Sequence, residues 1–177
     1  MRVAGLYLER VSRLKNENMV INMRNLFSFA AVTICIVAFF TKALLAQNYD
    51  GKIITLENLG TAMFLDSRAN RSVYTNKGNG GNYQKWVLKA SDSGTYTFTN
   101  LATGLRLDSN ERGEVYAFPA NDGNFQKWEI IKDFYGAHTL KNLATKLFLD
   151  SNQSGKVYTL SKNGSNNQVW YPAITSR

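Results

Sequence analysis

Gln84-Lys85-Trp86 returns as Gln126-Lys127-Trp128 and again as Gln168-Val169-Trp170, each time after 42 residues. All three tryptophans of the chain lie in these triplets. Upstream stand two further landmarks: Leu65-Asp66-Ser67, Leu107-Asp108-Ser109 and Leu149-Asp150-Ser151, then Val73-Tyr74, Val115-Tyr116 and Val157-Tyr158. Working outward, the copies align without a gap as 52–93, 94–135 and 136–177, with thirteen of 42 positions identical in all three. Asn58-Leu59, Thr61, Asn79 and Asn82 belong to this set with their counterparts, and Leu56 is matched by Phe98 and Leu140. A fixed period of this size marks a repeat architecture in which no single copy buries its own apolar face.

Within each copy the local pattern is β. Thr95-Tyr96-Thr97-Phe98-Thr99 alternates with period two, and Val115-Tyr116-Ala117-Phe118 is a short β-branched and aromatic run. Between such runs lie Asn79-Gly80-Gly81-Asn82, Asn121-Asp122-Gly123-Asn124 and Asn163-Gly164-Ser165-Asn166. Asn and Gly tolerate the positive φ that tight hairpin turns require. Each copy therefore reads as four short strands, twelve in total. Three four-stranded units that must share one core describe an all-β fold, a β-trefoil with pseudo-threefold symmetry. Three blades are too few to close a propeller around a channel. The expected core draws on Leu56, Leu65, Val73, Trp86 and their equivalents.

The remainder of the chain is a leader, residues 1–46. Arg24 precedes an uncharged run from Leu26 to Phe40, and Ala43-Leu44-Leu45-Ala46 follows. A basic start, an apolar stretch of this length and a small closing residue predict a signal peptide over 23–46, cleaved after Ala46. The alternative is an uncleaved anchor over Leu26 to Ala46 that tethers the domain to a membrane, with Lys42 snorkelling. Residues 1–22 carry Arg2, Arg10, Arg13, Lys15, Glu9 and Glu17 without helical periodicity, and Met19 and Met23 are both candidate starts. The expected start therefore lies downstream of Met1. The leader holds six Lys/Arg against two Asp/Glu, so half of the formal charge of +8 resides in it. Residues 47–177 keep fifteen against eleven, with no basic block, which argues against nucleic acid as a partner. The single cysteine, Cys35, lies in the leader, so a domain over 47–177 must stand on a packed core alone.

The Gln-x-Trp triplicate with Leu-Asp-Ser upstream and Val-Tyr between resembles the ricin-type β-trefoil lectin family over Gly51 to Trp170. What the resemblance implies is a carbohydrate-binding protein with up to three shallow sites for galactose-type or related glycans. A carboxylate takes sugar hydroxyls in bidentate hydrogen bonds, and an aromatic ring stacks on the apolar face of a pyranose. By the family pattern the carboxylates are Asp66, Asp108 and Asp150, and amide contacts come from Gln84, Gln126 and Gln168. The stacking position falls on Asn76, Phe118 and Leu160, so only Phe118 keeps an aromatic there. Tyr74, Tyr116 and Tyr158 lie two residues earlier on the same strand face and are substitute partners. The amide position before the Gln is Tyr83, Phe125 and Asn167, so only Asn167 keeps it. The family's cysteine pair is replaced by Phe64 with Gly78, Arg106 with Ala120, and Phe148 with Lys162.

Each of these residues also has a plain structural reading. The tryptophans belong to the core. The Gln side chains either satisfy buried backbone groups or touch ligand. The Asp side chains either bond the amides of the following turn or meet a sugar. The tyrosines divide between groove and strand packing, and His138 reads as a strand residue.

No catalytic apparatus is read from the sequence. One histidine and no cysteine after residue 46 give no metal set and no cofactor site. No Ser stands in a nucleophile elbow. The threefold repeat places the three Asp residues in separate pockets rather than as a hydrolytic pair. The expectation is thus a secreted, non-catalytic, lectin-like protein with no stable membrane insertion after signal cleavage. Two alternatives remain: a targeting subunit for a separate toxin or enzyme chain, and a protein-interaction scaffold with decayed sugar sites.

Overall fold

The computed structural model describes residues 49–91, 94–132 and 137–175. The leader readings, over residues 1–46, therefore lie outside the described residues. The described residues belong to one unit, Ala46–Arg177.

Each copy supplies four strands. The first copy gives β1 (Ile53–Asn58), β2 (Met63–Ser67), β3 (Val73–Asn76) and β4 (Trp86–Ala90). The second gives β5 (Tyr96–Asn100), β6 (Arg106–Ser109), β7 (Val115–Phe118) and β8 (Trp128–Lys132). The third gives β9 (His138–Asn142), β10 (Phe148–Ser151), β11 (Val157–Leu160) and β12 (Trp170–Ile174). A single 3₁₀ turn precedes the last strand of each copy: Asn82–Gln84, Asn124–Gln126 and Asn166–Gln168.

Six strands close a barrel. β1 pairs with β4, β4 with β5, β5 with β8, β8 with β9, β9 with β12, and β12 returns to β1. The other six form three hairpins, β2–β3, β6–β7 and β10–β11, that cap one end. The hairpins bind one another in rotation. The amides of Thr75, Ala117 and Thr159 donate to the carbonyls of Gly155, Arg71 and Gly113, each at 2.8 Å. The fold is the all-β trefoil with threefold pseudosymmetry that the 42-residue period predicts.

The tryptophans explain the period. Trp86, Trp128 and Trp170 are fully buried in one apolar cluster with Leu56, Leu65, Leu88, Phe98, Leu140 and their neighbours. Each indole also needs an acceptor once removed from water. Nε1 donates to the carbonyl of Leu65, Leu107 or Leu149 at 3.0–3.1 Å, fastening the barrel strand to the hairpin strand that carries the Asp. The tryptophan thus sets both the core and the depth of the site.

Where the family has cysteine pairs, three other contacts bridge the hairpins. The Phe64 ring lies so close to Gly78 that a Cβ there would stand 2.9 Å from it. Arg106 pairs instead with Asp122 at 2.7 Å, and the Lys162 ammonium lies 5.8 Å from the centre of the Phe148 ring.

Candidate functional site

Each candidate pocket is built on a cap hairpin. Register places Asp66 opposite Tyr74, Asp108 opposite Tyr116 and Asp150 opposite Tyr158. Directly opposed residues share one face of an antiparallel pair, so carboxylate and phenol stand side by side. The Asp side chains are at most 2% exposed, while the tyrosines are half-buried. Burial is the main cause that raises the Tyr116 and Tyr158 phenols, with the nearby Asp108 and Asp150 charges adding to it.

The glutamines hold these carboxylates from behind. Gln84 Nε2 donates to Asp66 Oδ2 at 3.0 Å and to the Lys77 carbonyl at 2.9 Å. Gln126 Nε2 does the same to Asp108 Oδ2 at 2.8 Å and to the Pro119 carbonyl at 2.9 Å. Gln168 Nε2 donates to the Ser161 carbonyl at 3.0 Å. Each Oε1 accepts one amide, from Asn79, Asn121 or Asn163, at 3.0–3.1 Å. Between the two readings open in the sequence, the geometry favours support. With the amides of Gln84 and Gln126 spent on the chain, these residues orient the carboxylate rather than reach into the pocket.

The other oxygen of each carboxylate is not held in this way. Oδ1 of Asp66, Asp108 and Asp150 is buried and has no hydrogen-bond partner. A buried acceptor left unpaired costs about 1–3 kcal/mol. Burial raises the Asp108 and Asp150 carboxyls above their ordinary value. Gln126 and the Ser109 amide pull Asp108 back down, and the polar groups of Tyr158, Asn163 and Gln168 do so at Asp150.

The walls differ from copy to copy. In the first, Asp66, Arg68, Tyr74, Asn79, Gly81 and Tyr83 line a cavity of about 420 Å³. That is the size of a small-ligand pocket, ~300–1,000 Å³. Tyr83, at the family's amide position, supplies an exposed ring instead. In the second copy Phe118 is exposed and meets Tyr116 edge-on, with centroids 6.2 Å apart. Arg71, from the first copy, covers that ring at 5.2 Å from its centroid. In the third, Leu160 occupies the stacking position and is exposed. Asn167 lies against Gly60, where an added Cβ would stand only 2.1 Å from its Oδ1. The counterparts of Gly60 are Ala102 and Ala144, so the notch that seats Asn167 exists only in the first copy.

Asn58, Asn100 and Asn142 position the sites as well. Each Oδ1 caps its own turn, as Asn100 does by accepting from the amides of Ala102 and Thr103 at 3.2 Å. Each Nδ2 reaches the preceding copy: Asn58 to the Asn167 carbonyl, Asn100 to Tyr83 and Asn142 to Phe125, all at 2.7 Å. The residue before each glutamine is therefore pinned by the next copy in the ring. Identity across copies was the available signal; the partner was invisible because it lies outside the local turn. Among the described residues, no three His, Cys, Asp or Glu side chains converge as a metal set would.

No protein-family model and no curated protein matches the chain. Solved structures do. The chain is similar to a designed 3-fold symmetric protein, ThreeFoil, at 25% identity and a TM-score of 0.64, over 70% of this chain and 98% of that one. It is similar to a mosquitocidal holotoxin at 23% identity and a TM-score of 0.67, over 71% of this chain and 17% of that one. It is similar to an exo-beta-1,3-galactanase from Clostridium thermocellum at 19% identity and a TM-score of 0.66, over 71% of this chain and 31% of that one. The chain thus spans less than a third of the toxin or the galactanase chain. Three otherwise different proteins share with it the trefoil fold.

Proposed function

We propose that this chain is a secreted, non-catalytic carbohydrate-binding protein of the ricin-type lectin kind, with one shallow sugar pocket per copy. The observation that carries the reading is the paired fate of each carboxylate. In the first two copies a fixed Gln holds Oδ2, and in all three copies Oδ1 is left as an unpaired buried acceptor beside a tyrosine. Vicinal sugar hydroxyls supply the donors that such an oxygen lacks, and the adjacent ring gives the pyranose an apolar surface. A shallow pocket contributes few contacts, so single sites bind weakly and useful affinity comes from engaging two or three at once.

Titration of the full chain with neutral and acidic mono- and oligosaccharides tests this. Asp66→Asn, Asp108→Asn and Asp150→Asn keep the side-chain shape and an acceptor for the Gln while removing the charge. Each substitution is expected to cost its own pocket about tenfold in affinity, the loss of one charge-assisted hydrogen bond. Absence of binding to every sugar at millimolar concentration overturns the reading.

A second reading, a targeting subunit for a separate toxin or glycan-degrading chain, draws support from the company this fold keeps. The similar holotoxin and galactanase are both much longer than the matching trefoil. An enzyme or toxin chain that co-purifies with this one from its native source would favour it.

A further inference from the structure

At the position after Leu-Asp-Ser, only the first copy carries a charged side chain. After Leu-Asp-Ser the second and third copies continue with Asn110 and Asn152. Both asparagines are consumed by their own loops: Asn110 Oδ1 accepts from the amides of Arg112 and Glu114, and Asn152 Oδ1 from those of Ser154 and Lys156. In the first copy that capping duty has moved two residues along. Asn70 Oδ1 accepts from the amide and hydroxyl of Ser72, at 3.2 and 2.8 Å. The side chain at position 68 is thereby released from capping the turn, and an arginine occupies the position.

Arg68 is directed into the pocket. Its guanidinium lies 4.3 Å from the centre of the Tyr74 ring, and it lines the same cavity as Asp66, Tyr74 and Tyr83. The ion pairs Arg106–Asp122 and Arg112–Glu114 do not engage Arg68. The cavity therefore holds a cation on its wall and, at its base, an unpartnered carboxylate oxygen that is almost wholly buried. A neutral sugar uses only the second of these. A guanidinium is a fork of planar donors suited to carboxylate or sulfate oxygens.

Resting on the carbohydrate-binding reading above, we propose that the first pocket selects a pyranose bearing an anionic substituent, a uronic acid or a sulfate ester. Asp66 Oδ1 takes hydroxyls of the ring and Arg68 takes the anion. The third pocket, with Asn152 in place of the arginine, takes the neutral parent sugars. The net positive charge of residues 47–177 favours approach of an anionic glycan as well.

The test is NMR titration of the full chain, following the amides around Asp66, Asp108 and Asp150 separately. The probes are galacturonic acid, glucuronic acid, 6-sulfogalactose, and neutral galactose and glucose, each in low and high salt. The first pocket is expected to bind at least one of the acidic sugars about tenfold tighter than its neutral parent, with the margin shrinking at high salt. Arg68→Asn, which installs the residue of the other copies, is expected to erase that margin and leave the second and third pockets unchanged. The larger margin, with uronate or with sulfate, identifies the anion. Equal binding of acidic and neutral sugars at the first pocket overturns this proposal while leaving the carbohydrate-binding reading intact. So does a rise in neutral-sugar affinity there on Arg68→Asn, which would make the arginine a plug over Tyr74. No sugar binding at any pocket overturns both.

Discussion

Asp108 and Asp150 carry two properties that separate as pH falls. Burial, the largest cause in each case, raises both carboxyls above the ordinary value of 3.8. Between the unfolded and folded values the folded chain binds more protons. The two groups therefore favour the folded state fully below that window and less as pH rises through it. Sugar binding has the opposite requirement, because the acceptor must be ionised. Glu114, lowered by Asn110 and then Arg112, and Asp122, lowered by Arg106, lose their contributions to stability only at more acidic pH. On acidification from pH 7, affinity at the second and third pockets is expected to fall before the melting temperature does. Isothermal titration and thermal melts on one pH series check this; a melting temperature that declines in step with affinity contradicts it. The residue scale is also where the sequence was least decisive. Asp66, Asp108 and Asp150 could be named as carboxylates of a site, but the division of labour between Oδ1 and Oδ2 depends on contacts made only after folding. Nothing local in the sequence distinguishes a loop arginine facing solvent from one that, like Arg68, lines a pocket.

The cap hairpins are the elements that carry the sites, and their loops meet in rotation with little room. Gly155 has φ +81°, and a Cβ there would lie 2.6 Å from the Thr75 carbonyl oxygen. Gly113 repeats this with φ +79° and 2.7 Å to the Thr159 oxygen. Left-handed backbone costs a non-glycine residue about 1–2 kcal/mol. The contact with a neighbouring backbone adds overpacking of about 1–3 kcal/mol. Gly155→Ala is therefore expected to destabilise the chain by about 3 kcal/mol in urea unfolding. Arg71 stands at the matching place of the first copy with φ +73°, facing Ala117 where the other junctions have Thr159 and Thr75. The period and the alternation made strands and turns legible, because both are local. The rotation of one hairpin against the next was not, since it joins loops of different copies.

At the scale of the molecule the repeats are linked as a ring by Asn58, Asn100 and Asn142. Asn100→Ala removes a turn cap and the bond to the Tyr83 carbonyl together. About 2–3 kcal/mol of stability is expected to go with it, two buried groups left unpaired. Because Tyr83 lines the pocket of the preceding copy, affinity is expected to drop at the first site although the substitution lies in the second copy. Chemical denaturation and site-resolved titration check the two effects; a loss confined to the second pocket contradicts the linkage. The trefoil itself was legible because thirteen positions recur at a constant spacing, and three tryptophans at one spacing can share only one centre. The strand that closes the barrel is the last to be made. β12 pairs with β1 along Ile54 to Asn58 and also meets β9, so both remain short of a partner until Trp170 to Ile174 have been added. On a ribosome the chain runs ahead of its own fold, with an unpaired edge exposed on β1 until β12 emerges.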